Sequence, residues 1–166
     1  MMTRFYHIHK VGNYDEQWKE GNKINVSYDN PFWTFSMNIV LGCPCTPLNE
    51  YQMLLRELGM EYVREKFFPK YPSRKKCIWL IRPEETQLRY WSKQIDRSDT
   101  YIFEIETLGG KIFKGRNGLL PAPNSSYKEI TEKAMNYWQC DPNTECLDDE
   151  YLYEGIIRIV REIPRS

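Results

Sequence analysis

The 166-residue sequence is short of histidine and of net charge. It has two histidines, His7 and His9, and 23 Lys plus Arg balance 23 Asp plus Glu. A zero balance excludes a generic polyanion or membrane-surface binder, which carries a basic excess, and leaves only local basic patches. No apolar run approaches the roughly 18 residues of a membrane-spanning helix. The longest, such as Cys77-Ile78-Trp79-Leu80-Ile81, have strand length. The start, Met1-Met2-Thr3-Arg4-Phe5-Tyr6-His7, has no signal-peptide core, which predicts a cytoplasmic protein with no membrane partner. The five cysteines, Cys43, Cys45, Cys77, Cys140 and Cys146, are odd in number and irregularly spaced, so reduced thiols are expected rather than a disulfide framework. A single residue separates Cys43 from Cys45, whereas structural zinc pairs usually have roughly two to four between them. Free loop thiols are therefore favoured over a four-cysteine metal site. No repeat, low-complexity tract or Gly/Ser-rich linker divides the chain, so one domain over 1–166 is expected.

Aromatic residues are plentiful, at 14% of the chain, and such rings both fill cores and stack on flat ligands. Phe5–His9 reads as a first strand, and Tyr14–Glu20 as a short helix stopped by Gly21. Residues 25–48, with Asn30-Pro31 and Gly42-Cys43-Pro44-Cys45-Thr46-Pro47, read as loop. Tyr51, Leu54, Leu55, Leu58 and Tyr62 recur at helical spacing and predict an amphipathic helix burying that face, with Asn49 as its cap and Pro69 and Pro72 beyond its end. A second helix is predicted over Glu84–Ile95, with Leu88, Trp91 and Ile95 along one side. Tyr101–Glu106 alternates as a half-buried strand, and Gly109-Gly110 predicts a hairpin returning through Lys111-Ile112-Phe113. Ser126–Trp138 predicts a third helix, with Ile130, Ala134, Tyr137 and Trp138 inward. Glu150–Ile163 predicts a last strand. The sum is an α+β domain.

Three groups stand out chemically. His7 and His9 share one strand face, either as a polar edge or with one of them bonding a ligand. Arg74 follows a rigid Pro72-Ser73 turn and precedes an apolar strand. It is either solvated, as expected for Lys75 and Lys76, or presents a planar donor fork to phosphate or carboxylate. Asp148-Asp149-Glu150 opens the last strand. Three adjacent acids are hard to bury together, so at most one is expected in a site.

Taken in order, these pieces resemble the ADP-ribosyltransferase-like superfamily, and within it an uncharacterised bacterial and phage domain family similar to DNA-modifying ADP-ribosyltransferase toxins. The matching pieces are Phe5-Tyr6-His7-Ile8, Trp18-Lys19-Glu20-Gly21, Tyr71-Pro72-Ser73-Arg74 leading to Cys77-Ile78-Trp79-Leu80, the Glu84-Glu85 helix bearing Tyr90-Trp91, Tyr101–Ile105, Ala134–Trp138 and Glu150-Tyr151-Leu152-Tyr153-Glu154-Gly155. The resemblance implies a split β-sheet core with flanking helices and NAD as co-substrate. It implies Glu150 as the catalytic carboxylate, and Arg74 on the pyrophosphate or the acceptor. It also implies His7 on the adenosine-side ribose, with Tyr6, Trp79, Tyr90 and Trp91 completing the cofactor site. No tyrosine stands clearly at the second-strand position, where Trp79 lies, and Asp148 replaces the first member of a Glu-Xaa-Glu or Gln-Xaa-Glu pair. That pattern leaves the acceptor open between nucleic acid and protein. For nucleic acid, the expected contact is Lys70, Arg74, Lys75 and Lys76, with Trp33 or Tyr71 stacking on a base. NAD glycohydrolysis, a non-catalytic NAD or nucleic-acid binding module, and a toxin or phage-defence effector masked by an antitoxin or regulatory partner are the other expectations.

Overall fold

The computed structural model describes residues 3–10, 15–27, 48–95 and 100–164. Among these residues, five antiparallel strands and three α-helices make a mixed α+β fold: β1 (Arg4–Lys10), β2 (Lys23–Asn25), α1 (Leu48–Phe67), β3 (Ile78–Leu80), α2 (Glu85–Gln94), β4 (Thr100–Arg116), α3 (Tyr127–Trp138) and β5 (Asp149–Glu162). Strands β1, β4, β5 and β2 lie side by side in that order. β3 also pairs with β5, at the other end from β2. The two short strands thus split one edge of the sheet between them. Tyr6 and Ile81 exchange two 2.9 Å backbone hydrogen bonds, so β1 also meets the chain just past β3 and the sheet curls back on itself.

The bend that permits this lies at Gly109-Gly110, where a hairpin turn was expected. The chain does not reverse there. β4 runs straight through, and both of its halves pair with β5, from Phe103↔Glu162 to Arg116↔Asp149. Between Thr107↔Ile157 and Gly110↔Gly155 two β4 residues face one of β5, a bulge that kinks and twists the pair. Gly110 has φ +149°, and a side chain there would run into the backbone of Glu154 and Gly155. A glycine pair serves a turn and a bulge equally well, so the motif alone does not separate them.

One apolar core lies inside the curl, where Phe5, Trp18, Ile24, Leu80, Phe103, Ile105, Tyr153, Ile157 and Ile159 meet. The other lies between the sheet and helices α1 and α3, from Met60, Val63, Cys77, Phe113, Ala134, Tyr137, Trp138 and Leu152. Helix α3 begins in a capping box. Ser126 Oγ accepts from the Glu129 amide at 3.3 Å, and the Ser126 amide donates to Glu129 Oε2 at 2.7 Å. Its buried side is the expected one: Ile130, Ala134, Tyr137 and Trp138.

Helix α1 is turned the other way round. Of the face expected to be buried only Leu54 is; Tyr51, Leu55, Leu58 and Tyr62 are exposed. The inward residues are Leu54, Glu57, Met60, Glu61, Val63 and Arg64. Burying charge is tolerable only when each group is paired and hydrogen-bonded, and the 73–74 turn supplies the partners described below. The helix is described from Leu48, with the backbone of Asn49 inside it. Tyr14–Glu20 likewise shortens to a single 3-10 turn over Asp15–Gln17, with Tyr14 outside the described residues. β2 ends at Asn25, where the expected loop begins, and residues 28–47, including Trp33, Cys43 and Cys45, lie outside the described residues. The expected Glu84–Ile95 helix is α2, whose buried residues are Gln87 and Ser92 rather than an apolar row. Cys77, Cys140 and Cys146 form no disulfide among the described residues. No helix among the described residues is long and apolar enough to cross a membrane.

Candidate functional site

The turn after α1 carries Arg74 beneath the sheet, and the guanidinium is buried rather than solvated. Its Nε and Nη2 donate to the two oxygens of Glu57 at 2.8 and 3.2 Å, a bidentate fork. Nη1 donates to the Tyr137 hydroxyl at 3.2 Å and lies 3.7 Å from Glu150 Oε1. The Tyr137 hydroxyl in turn donates to Glu150 Oε1 at 2.6 Å. The guanidinium lies 5.7 Å from the Trp79 ring centre and 5.5 Å from that of Tyr137.

A neighbouring carboxylate, Glu61, fixes the turn itself. It accepts from Ser73 Oγ at 2.5 Å, from the Arg74 amide at 3.1 Å and from Arg64 Nη2 at 2.9 Å. With Arg56 on Glu57 at 2.9 Å, three carboxylates (Glu57, Glu61, Glu150) face three guanidiniums (Arg56, Arg64, Arg74), so the cluster is neutral overall. Glu57, Glu61 and Arg64 recur at i, i+4 and i+7, which places them on one helical face.

Burial and pairing act against each other in this cluster. For Glu57, burial pushes the pKa up, but the charge and hydrogen bonds of Arg74 and Arg56 outweigh it and hold it below the usual carboxylate range. For Glu150, burial wins over Arg74 and Tyr137, and its pKa stands above that range. Burial, reinforced by the Glu150 charge, keeps Tyr137 a neutral phenol and hydrogen-bond donor. Burial also keeps Cys77 a thiol.

Of the residues the sequence points to, Arg74, Trp79 and Glu150 come together here. Trp91 is tied in through the backbone, its Nε1 donating to the Asp149 carbonyl at 3.0 Å, with Tyr90 edge-on beside it at 5.4 Å. His7 donates from Nδ1 to the Trp79 carbonyl at 2.8 Å, but its ring stacks on Trp18 at 4.8 Å, inside the curl. Strand alternation sets Tyr6 on the face away from Phe5 and His7. It also sets Glu150 and Leu152 toward the helices, while Tyr151 packs on Phe5 from the His7 side at 5.0 Å. His7 and Glu150 therefore leave the sheet from opposite faces. His9 shares the His7 face as expected, stacking on Trp18 at 4.2 Å.

Alternation also eases the burial of adjacent acids that was expected to be hard for Asp148-Asp149-Glu150 together. Asp149 and Glu150 are both buried, each on its own face with its own cation. Asp149 Oδ2 lies 3.1 Å from Lys114 Nζ and accepts from the Cys146 amide at 2.9 Å. Lys114 also donates to the Pro142 and Thr144 carbonyls, and Gln87 Nε2 to the Cys146 carbonyl at 2.6 Å, so this second cluster pins the 140s loop.

The basic turn changes character as well. Arg74 is internal, and Tyr71 packs on Phe113 at 4.7 Å and on Trp138 at 6.1 Å. Lys70 and Lys76 are exposed and Lys75 is half-buried. A cavity of ≈ 330 Å³ beside the glycine bulge, lined by Thr3, Thr107, Leu108, Ile112 and Tyr153 among others, includes none of the expected site residues. Among the described residues, no group of three or more His, Cys, Asp or Glu is arranged to hold a metal ion.

Residues 37–165 match the DUF2441 family, described as a protein of unknown function. The chain belongs to that family. The match takes in α1, Arg74, Tyr137 and Glu150, and leaves β1 with its histidines outside it. No curated protein matches the chain.

Burial lowers the His7 pKa to about 4 from an ordinary 6.5; the Trp79 bond opposes this and His9 adds to it. Between those two values the unfolded chain binds a proton that the folded chain does not. Stability is therefore lost as pH falls from about 6.5 to about 4, by up to about 3 kcal/mol. Urea denaturation against pH is expected to show that slope, and His7→Gln to flatten it. An unchanged slope in the variant would remove His7 as its origin.

Proposed function

We propose that this DUF2441 protein is an NAD-dependent ADP-ribosyltransferase acting on a macromolecular acceptor, with Glu150 as its functional carboxylate. The observation that carries the reading is the Arg74–Glu150–Tyr137 contact at the opening of β5, in a curled and split antiparallel sheet. An acid in this position suits the reaction. As the bond from ribose C1′ to nicotinamide breaks, its electron pair leaves with the ring nitrogen and positive charge develops on the ribose. A fixed carboxylate stabilises that charge, and the acceptor nucleophile then bonds to C1′ and gives up its proton. Arg74 and Tyr137 hold Glu150 in one orientation, and Trp79 lies over the Arg74 guanidinium from β3.

One observation favours a second reading, a non-catalytic binding module of the same fold: Glu150 is buried and its partners lie within the protein. Nicotinamide release from NAD separates the two. Measured with DNA, RNA or cell lysate added in turn, the wild type is expected to release nicotinamide. Glu150→Gln, which keeps the shape and removes the charge, is expected to do so about a hundredfold more slowly. Near-wild-type release by the variant would remove Glu150 from the chemistry. NAD binding with no release under any condition would favour the binding module.

A further inference from the structure

The reversed orientation of α1 leaves an apolar stripe on the outside. Leu48, Tyr51, Leu55, Leu58 and Tyr62 follow one another at spacings of 3, 4, 3 and 4, the repeat of a coiled-coil seam. Tyr51, Leu55, Leu58 and Tyr62 keep between 39% and 47% of their surface exposed, and Leu48 keeps 72%. Exposed Tyr127 of α3 sits beside the stripe, next to Gly59. A contiguous apolar patch of this kind, on the order of 500 Å², is at the upper end for a monomer and marks an interaction surface.

We propose that the stripe is a self-association seam, which pairs α1 with α1 of a second copy of this chain in antiparallel orientation about a two-fold axis. The seam is self-complementary. Setting Leu55 against the partner's Leu58 also sets Tyr51 against the partner's Tyr62 and Leu48 against the partner's Glu65, and each contact occurs twice, as two-fold symmetry requires.

Charge selects the orientation. Glu65 is exposed, with Arg64 and Lys75 at 3.7 and 4.0 Å. In the antiparallel arrangement it lies beside the positive end of the partner helix, and the helix dipoles oppose. A parallel pairing would align the dipoles and bring two Glu65 carboxylates into one layer. The patches of two copies together cover roughly 1,000 Å², the size at which specific interfaces begin.

Sedimentation velocity of the full chain across micromolar concentrations tests this. The wild type is expected to reach twice the chain mass. Leu55→Glu with Leu58→Glu should weaken association at least about a hundredfold, the scale of losing central interface side chains. Its circular dichroism and melting temperature as a monomer should stay unchanged. A mixture of Tyr51→Cys and Tyr62→Cys chains should cross-link between the new thiols, and Tyr62→Cys alone should not. A monomeric wild type at every concentration, or a double variant that still dimerises, would overturn the proposal. So would a double variant that unfolds, because the stripe would then be covered within the chain. Efficient cross-linking of Tyr62→Cys with itself would overturn the antiparallel orientation.

Discussion

Replacing Arg74 with methionine is expected to destabilise the protein by about 3–5 kcal/mol, the cost of removing one partner from a buried ion cluster. Methionine fills much the same space, so packing is roughly kept. What is lost is the fork onto Glu57 and the charge beside Glu150, both buried. Those carboxylates must then be buried unpaired, or take up protons. In a chain of this size each kcal/mol moves the midpoint by about 2–4 °C, so the thermal transition should fall by on the order of 10 °C. Removing the orphaned charge as well should recover part of the loss, making Arg74→Met with Glu57→Leu less damaging than the sum of the two. A single variant within about 1 kcal/mol of wild type would mean that water or local relaxation solvates the cluster, and that Arg74 does not hold it together.

Trp138→Ala should cost a similar amount for a different reason. Trp138 is fully buried between α1, α3 and the sheet. Its ring packs 4.7 Å from Phe113 and 5.1 Å from Tyr137, and its Nε1 donates to the Met60 carbonyl at 3.0 Å. Deletion leaves a large cavity and removes the indole hydrogen bond, which together cost about 3–5 kcal/mol. Trp138→Phe keeps most of the packing and should lose only about 1–2 kcal/mol, chiefly the hydrogen bond. Denaturant midpoints for the two variants separate cavity from bond. Equal losses would place the effect in the hydrogen bond and not in the ring's volume.

The parts of the fold that were legible in the sequence are those in which local chemistry and tertiary packing agree. Helix α3 carries its own cap and an apolar face that is the buried one. β5 alternates and buries Ile157 and Ile159, while Ile163, the third isoleucine of the expected alternation, falls just past its end and is half-buried. Helix α1 was legible as a helix but not in its orientation, because hydrophobic periodicity treats Glu57, Glu61 and Arg64 as surface. The i, i+4, i+7 spacing of opposite charges was the one local sign that they could satisfy each other.

Arg74 and Glu150 were legible as candidates from their positions beside a rigid turn and at the opening of a strand, whereas Trp79 came only from the family resemblance. Tyr137 was legible only as a core ring; nothing local shows that its hydroxyl joins Arg74 to Glu150. The separation of His7 from Glu150 was not legible either. It depends on strand parity counted through β4 and β5, and on register shifts at Glu104/Ile105 and Thr107/Gly110 that no local pattern announces.

The strand pairing also sets an order of events during synthesis. β1 finds its hydrogen-bond partners in residues 100–106, and β4 finds most of its own in residues 149–162. At roughly 5–20 residues per second, β1 leaves the ribosome many seconds before its partner exists. Until then Phe5 and Ile8 are part of an unpaired apolar segment. Contacts so distant in sequence make folding slow, because the chain must close long loops before it gains the pairing. The helices can form early from local signals, whereas the curled sheet can close only when the last strand arrives. The final stretch of the chain therefore completes both apolar cores and also delivers Glu150 to Arg74.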